Sequence, residues 1–216
     1  MPRKQAGFTL VEIAIVLVII GLLLGGVLKG QELITQAKIK NIANDFNATT
    51  AAILAYQDRY RRLPGDDNPG PAPGQARWSG VGNGNLNGNI DGLYAGGSAS
   101  ETGYFWQHLR SAGFITGSAT DSTPPLNAVG GILGVEMGAG SGGASGVPGL
   151  SGVTLCSSRL PGKVAIALDT QFDDGVATTG TVRGFVVNGD GTVDAQTAQA
   201  YSEDTSITYV VCRSVL

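Results

Sequence analysis

The sequence predicts an α+β protein. One long N-terminal helix, apolar in its first half and amphipathic in its second, packs on a C-terminal antiparallel sheet in a head with a short second helix and long Gly-rich loops. Three observations predict this. From Phe8 to Leu28, every residue but Thr9, Glu12 and the glycines is apolar. From Ile39 to Tyr60, large side chains recur in steps of three and four. Beyond Pro64, β-branched runs alternate with segments dense in Gly, Pro, Asn and Asp.

The apolar run is long enough to cross a bilayer, which takes about 20 such residues. A removable signal peptide would place a small-residue cleavage site after its apolar core. Here the polar-to-apolar boundary, Gly7–Phe8, precedes the core, and the chain continues through GGVLKGQELITQAKIKNIANDF. The segment therefore reads as an anchor. Arg3 and Lys4 on the short N-terminal side predict a cytoplasmic N-terminus and an exported remainder. Glu12 is out of place, because a carboxylate at membrane depth costs roughly 2.5–3.5 kcal/mol.

Past the anchor, Ile39, Ile42, Phe46, Thr49, Ile53, Tyr56 and Tyr60 form a helical stripe. No proline interrupts the chain between Arg3 and Pro64, and Leu63–Pro64–Gly65 is a stop. One helix is expected over 8–62, with 8–28 in the membrane and a globular head over 63–216. The head has room for one core. The chain carries a net charge of −3 with only 14% charged residues, so it presents no basic footprint for nucleic acid.

The stretch K-Q-A-G-F-T-L-V-E-I resembles the processing site of type IV pilins and of the pseudopilins of type II secretion. The likeness is specific over residues 4–30, and beyond about residue 62 it concerns architecture alone. It implies a leader, residues 1–7, cut by a membrane prepilin peptidase between Gly7 and Phe8, with N-methylation of the new Phe8 terminus. It also implies that Glu12 pairs with the terminal ammonium of a neighbouring subunit as helices stack in a filament. That role answers the anomaly, since a buried charge is tolerable when paired and costly alone. The implied partners are like or related filament subunits, the peptidase/methyltransferase, an inner-membrane assembly platform, and lipid before assembly. The implied location is the bacterial inner membrane, then a pilus or a periplasmic pseudopilus. Major pilins of the commonest class carry a proline midway along this helix, where this chain has Gly21, Gly25 and Gly26.

Cys156 and Cys212 are the only cysteines. They are two unrelated thiols if the head is cytosolic and a disulfide if it is exported. A bridge would contribute roughly 4 kcal/mol on the loop-entropy model. In NGNLNGNIDG, Asn83, Asn85, Asn87, Asn89 and Asp91 alternate like the ligands of a calcium loop. Gly88 falls at the turn and Ile90 at the apolar anchor. Tyr94 occupies the slot of the bidentate Glu, for which Glu101 is the nearest substitute. A plain Asn-Gly turn array is the other reading, and no cofactor is required by either. Asn188–Asp194 is a shorter candidate, read in preference as a hairpin turn.

ETGYFWQHLRSAG reads as the second helix, with Tyr104, Phe105, Leu109 and Ala112 on one side and the lone His108 as a satisfied helix residue. The stretch TPPLNAVGGILGVEMGAGSGGASGVPGLSG, residues 123–152, reads as irregular. Its G-x-G-x-x-G match at Gly138, Gly140 and Gly143 has no strand expected before it and no helix after it, so a dinucleotide site is excluded. GKVAIALD, TVRGFVVN and SITYVVCRSVL read as three successive strands.

No enzyme template finds its parts here. There is one His, no GxSxG and no HExxH, and the pairs Asp66–Asp67 and Asp173–Asp174 sit beside turn glycines. The function expected is a structural filament subunit. The alternatives are a minor or tip subunit binding a surface or DNA, and an anchored protein that forms no filament. Arg59, Arg61 and Arg62 end a helix, where cations offset the dipole. Trp78 and Trp106 read as core.

Overall fold

The computed structural model describes residues 9–69, 77–141, 146–186 and 198–216. The chain divides into two units, Met1–Lys38 and Ile39–Leu216. Helix α1 (Leu10–Tyr60) begins in the first and continues in the second. In the first unit its large apolar side chains, from Leu10 through Leu28, are all exposed. This stretch is long and apolar enough to cross a membrane.

In the second unit the helical stripe does what its spacing requires. Ile42, Ala43, Phe46, Thr49, Ala52, Ile53 and Tyr56 are buried, with Ile39 and Tyr60 packed at the margins. The helix ends at Tyr60, and the chain turns at Gly65, whose φ of +93° suits glycine. A Cβ there would also lie 2.7 Å from the Glu101 carbonyl oxygen. Helix α2 (Glu101–Ser111) starts at Ser100, whose side chain accepts from the Gly103 N–H. It buries Phe105, Trp106 and Leu109 against α1, while Tyr104 and Ala112 are half-buried.

Four strands form one antiparallel sheet among the described residues: β1 (Leu133–Met137), β2 (Val153–Pro161), β3 (Val182–Val186) and β4 (Thr208–Ser214), in the order β1-β2-β4-β3. Val135, Leu155, Leu160, Val182, Tyr209 and Val211 face the core shared with α1, as the amphipathic stripe predicts. Alternate positions, Cys156, Phe185, Val210 and Cys212, face a second cluster with Tyr94, Val147 and Leu150. The sheet is thus covered on both faces.

Three sequence expectations need correction. GKVAIALD is not a strand but the body of helix α3 (Gly162–Phe172). Its Val164, Ala165 and Leu168 are buried at helical spacing, with Phe172 at the margin of the same core. The supposedly irregular Gly-rich stretch contains β1, and β2 follows it. A strand therefore does lead into Gly138 and Gly140. A 3-10 turn (Ala139–Ser141) follows, and Gly143 lies outside the described residues. Because β2 returns antiparallel to β1, the context for a dinucleotide site is still missing.

Candidate functional site

The first charged side chain of α1 is held by its own neighbour. Thr9 immediately precedes the helix, and Glu12 is the third residue inside it. The Thr9 backbone N–H and hydroxyl both donate to Glu12 Oε2 at 2.8 Å, and the Glu12 N–H reaches Thr9 Oγ1 at 3.3 Å. This is a reciprocal capping box. Its sequence signal is the T-L-V-E spacing, a cap residue three positions before a carboxylate, which a reading of Glu12 as a membrane charge alone does not use. The cleavage residues Gly7 and Phe8, and with them the methylation position, lie outside the described residues.

Cys156 and Cys212 are joined in a disulfide and stand opposite each other on β2 and β4. Cys156 lies inside β2 and Cys212 inside β4, so the bridge clamps the two central strands of the sheet. Both sulfur-bearing residues are buried.

The Asn-rich loop lies against Asp66 and the start of α2. Glu101, at the first position of α2, accepts the backbone N–H groups of Asn85 and Asp91 at 2.7 and 2.8 Å, one on each carboxylate oxygen. Glu101 therefore grips the loop's backbone. Burial, followed by the nearby Asp91 and Asp66 charges, pushes its carboxyl up from the usual range, against these two hydrogen bonds. Asn85 and Asn87 each accept the backbone N–H two residues on and donate their amides to Asp91 Oδ2 at 2.9 and 3.1 Å. Asn89 contributes the second of those N–H groups. Asn83 is exposed ahead of Gly84. Gly88 turns with φ +86°, and Ile90 is buried. Tyr94 donates its backbone N–H to Glu136 Oε2 instead of supplying a ligand. The second candidate, Asn188–Asp194, lies outside the described residues.

His108 is buried and satisfied. Its Nδ1 accepts the Gly65 N–H at 2.8 Å, which leaves the proton on Nε2 to bond the Gly82 carbonyl at 2.8 Å. Burial lowers its pKa below the ordinary histidine value. Beside it, Asp67 is a hub: it accepts from the Tyr56 hydroxyl at 2.7 Å and the Asn68 N–H at 2.8 Å, and it pairs with Arg77. Asp173 and Asp174 do not act as a simple pair, because α3 brings Asp169 to them, one oxygen of each lying within 4.8 Å of the others. Each of the three is hydrogen-bonded, Asp169 to the Tyr201 hydroxyl and the Gly175 N–H, Asp173 to the Thr181 and Val182 N–H groups, Asp174 to the Val176 N–H. Reading α3 as a strand hid this grouping. Arg61 pairs with Asp58 at 3.5 Å, and Arg59 lies 5.4 Å over the Tyr60 ring, so local structure occupies both. Trp106 is core, while Trp78 is half-buried against Tyr56 and Tyr60.

Residues 2–28 match the family model described as the prokaryotic N-terminal methylation motif. No curated protein and no solved structure matches the chain. The matched segment is the prepilin-type cleavage and methylation signal found in type IV pilins and pseudopilins, and it supports a pilin-like or pseudopilin-like subunit. With the long apolar helix that begins within it, it fits an inner-membrane-anchored protein.

Proposed function

We propose that this chain is a structural subunit that prepilin peptidase cuts between Gly7 and Phe8 and methylates at Phe8, and that then enters a type IV pilus or a secretion pseudopilus. The N-terminus stays cytoplasmic until the subunit is extracted, and the disulfide-closed head is exported. The observation that carries this reading is the motif over 2–28 with Glu12 as the one charge in the apolar run. In the described residues Glu12 uses only Oε2. Oε1 remains for a cation, and the methylated α-ammonium of a neighbouring subunit is the cation the motif provides. Stacked helices would then neutralise in pairs what a lone subunit must carry unpaired. The role is structural rather than enzymatic.

The test is intact mass and N-terminal analysis of the membrane-derived protein, made in cells with an active prepilin peptidase and measured with and without reductant. The expected protein starts at methylated Phe8 and gains two hydrogens on denaturing reduction. A start at Met1 or Pro2 would remove the filament reading and leave a bitopic protein anchored by an uncut helix.

A further inference from the structure

We propose that Asn87 is a site of self-modification: the fold directs spontaneous deamidation, through a cyclic succinimide, to this one asparagine of the loop over residues 83–91. The proposal stands apart from filament assembly and needs only the head. Asn87 and Gly88 are both exposed, and a Cβ at Gly88 would meet nothing within 4 Å, so nothing crowds attack by the Gly88 nitrogen. That nitrogen is the nucleophile, and the partner of the corresponding N–H differs along the loop. After Asn83, the Gly84 N–H donates to the Asp67 carbonyl at 2.7 Å, and after Asn85 the Leu86 N–H donates to the Asp66 carbonyl at 3.1 Å. After Asn87, the Gly88 N–H donates to the Asp66 carboxylate, 3.0 Å from Oδ2. A peptide carbonyl is too weak a base to take that proton, whereas a carboxylate serves as a general base. Asp66 Oδ1 has no hydrogen-bond partner, so the Gly88 N–H is the one donor on this carboxylate among the described residues. Asn89 precedes the buried, β-branched Ile90, whose side chain hinders the same attack.

The carboxamide is held for the same step. Asn87 Oδ1 accepts the Asn89 N–H at 2.7 Å, which folds the side chain back over Gly88. The same N–H supplies a donor to the oxygen that becomes negative on attack. In the first step the Gly88 nitrogen bonds to Asn87 Cγ, and its proton passes to Asp66. The Cγ–Nδ2 bond then breaks, and Nδ2 takes up a proton and leaves as ammonia. Water is the co-reactant that opens the succinimide at either carbonyl, leaving aspartate or isoaspartate at position 87. Nothing is oxidised or reduced. The product changes the loop, because Asn87 Nδ2 donates to Asp91 Oδ2 at 3.1 Å. After deamidation an acceptor replaces that donor, and a new negative charge stands beside Asp91. The change is irreversible, so each head carries a record of its age.

The experiment is a time course of the detergent-solubilised full-length chain in heavy-oxygen water at neutral pH. Peptide mass mapping follows it, with fragmentation that separates aspartate from isoaspartate. One arm keeps the protein native and the other unfolds it in urea. In the native arm, position 87 should gain one heavy oxygen at least about tenfold faster than positions 83 and 85, since a positioned base contributes about 10²–10⁴-fold. Unfolding takes Asp66 away from Gly88, so Asn83–Gly84 and Asn87–Gly88 should then react at similar rates. Asp66→Asn keeps an acceptor for the Gly88 N–H but has no base, and should slow position 87 at least about tenfold. Dichroism of this variant establishes that it is folded, and if it is not, the urea arm of the parent decides alone. Reaction at position 87 no faster than at position 83 in the native protein would overturn the proposal. So would a preference for position 87 that persists in urea, or folded Asp66→Asn reacting at the parent rate.

Discussion

Glu12 Oε2 accepts both the backbone N–H and the hydroxyl of Thr9, each at 2.8 Å. The first N–H groups of any helix lack internal partners, and in lipid no water supplies them. The carboxylate that looked expensive in the apolar run therefore performs a local task before any neighbour arrives. It closes the helix start that follows the cleavage site. Cap and assembly role draw on different resources of one side chain: an acceptor oxygen for the cap, the net charge for a partner.

Those two roles separate by mutation. Glu12→Gln keeps an acceptor for Thr9 and removes the charge. The expected result is normal cleavage and membrane insertion with loss of incorporation into sheared filaments. Thr9→Ala keeps the charge and weakens the cap, at a cost of about 1 kcal/mol of helix stability, and should still assemble. If Glu12→Gln enters filaments at the parent level, pairing of the charge is not what drives assembly.

The disulfide joins strands that already pair in register, Cys156 opposite Cys212. Its contribution therefore lies mainly in restricting the unfolded chain. For a separation of 56 residues the loop-entropy model gives roughly 4 kcal/mol. Replacing both cysteines by serine should leave the far-ultraviolet dichroism near that of the parent while lowering the denaturation midpoint by an amount of this order. Because both cysteines are buried, reductant should act only as fast as the head opens. Rapid reduction without denaturant would contradict the packing described.

Tyr56 and Asp67 make a buried pair whose two members are not equivalent. Tyr56→Phe removes one donor from a carboxylate that keeps Arg77 and the Asn68 N–H, and should cost about 1–1.5 kcal/mol. Asp67→Ala leaves a buried phenol hydroxyl and a guanidinium unpaired, and should cost about 3 kcal/mol or more. Urea midpoints of the two variants measure the difference. Equal losses would mean that Asp67 is not the hub.

Helices α1 and α2 and strands β3 and β4 were legible because each carries one clear period or a β-branched run between turn residues. β2 was not, because both of its faces are covered: Leu155 meets the core under α1 while Thr154 and Cys156 are buried on the other side. Burial on two faces erases the alternation that marks a half-exposed strand. β1 was lost among glycines and holds a buried Glu136, which reads as a surface residue. α3 was misread because β-branched Val164 and Ile166 outweighed the spacing of Val164, Ala165, Leu168 and Phe172. At the site, residue identities were readable and partnerships were not. The reach of Asp66 to Gly88 and of Glu101 to Asn85 depends on how the turns fold back.

Glu136 gives the head a pH dependence of definite sign. Its carboxyl lies in the second cluster with one backbone N–H from Tyr94, and burial pushes it up to about 7, from an ordinary 4.5. The folded state therefore holds this proton more tightly than the unfolded chain. The stability it contributes is complete below about pH 4.5 and is lost as pH rises to about 7, by up to about 3 kcal/mol. His108 works in the opposite direction: burial lowers its pKa, so its contribution is complete above about 6.5 and falls as pH drops below that value. The two slopes oppose each other in the parent just below about pH 6.5. Glu136→Gln keeps an acceptor for Tyr94 and cannot ionise. Measured by urea denaturation from pH 4 to 8, the variant should come closest to the parent near pH 4. It should become progressively more stable relative to it, with the full gap reached near pH 8. Asp45, Glu101 and Asp169 are also pushed up by burial, but they are common to both proteins and cancel in the difference. A constant difference across that range would show that Glu136 does not titrate in the fold as its burial requires.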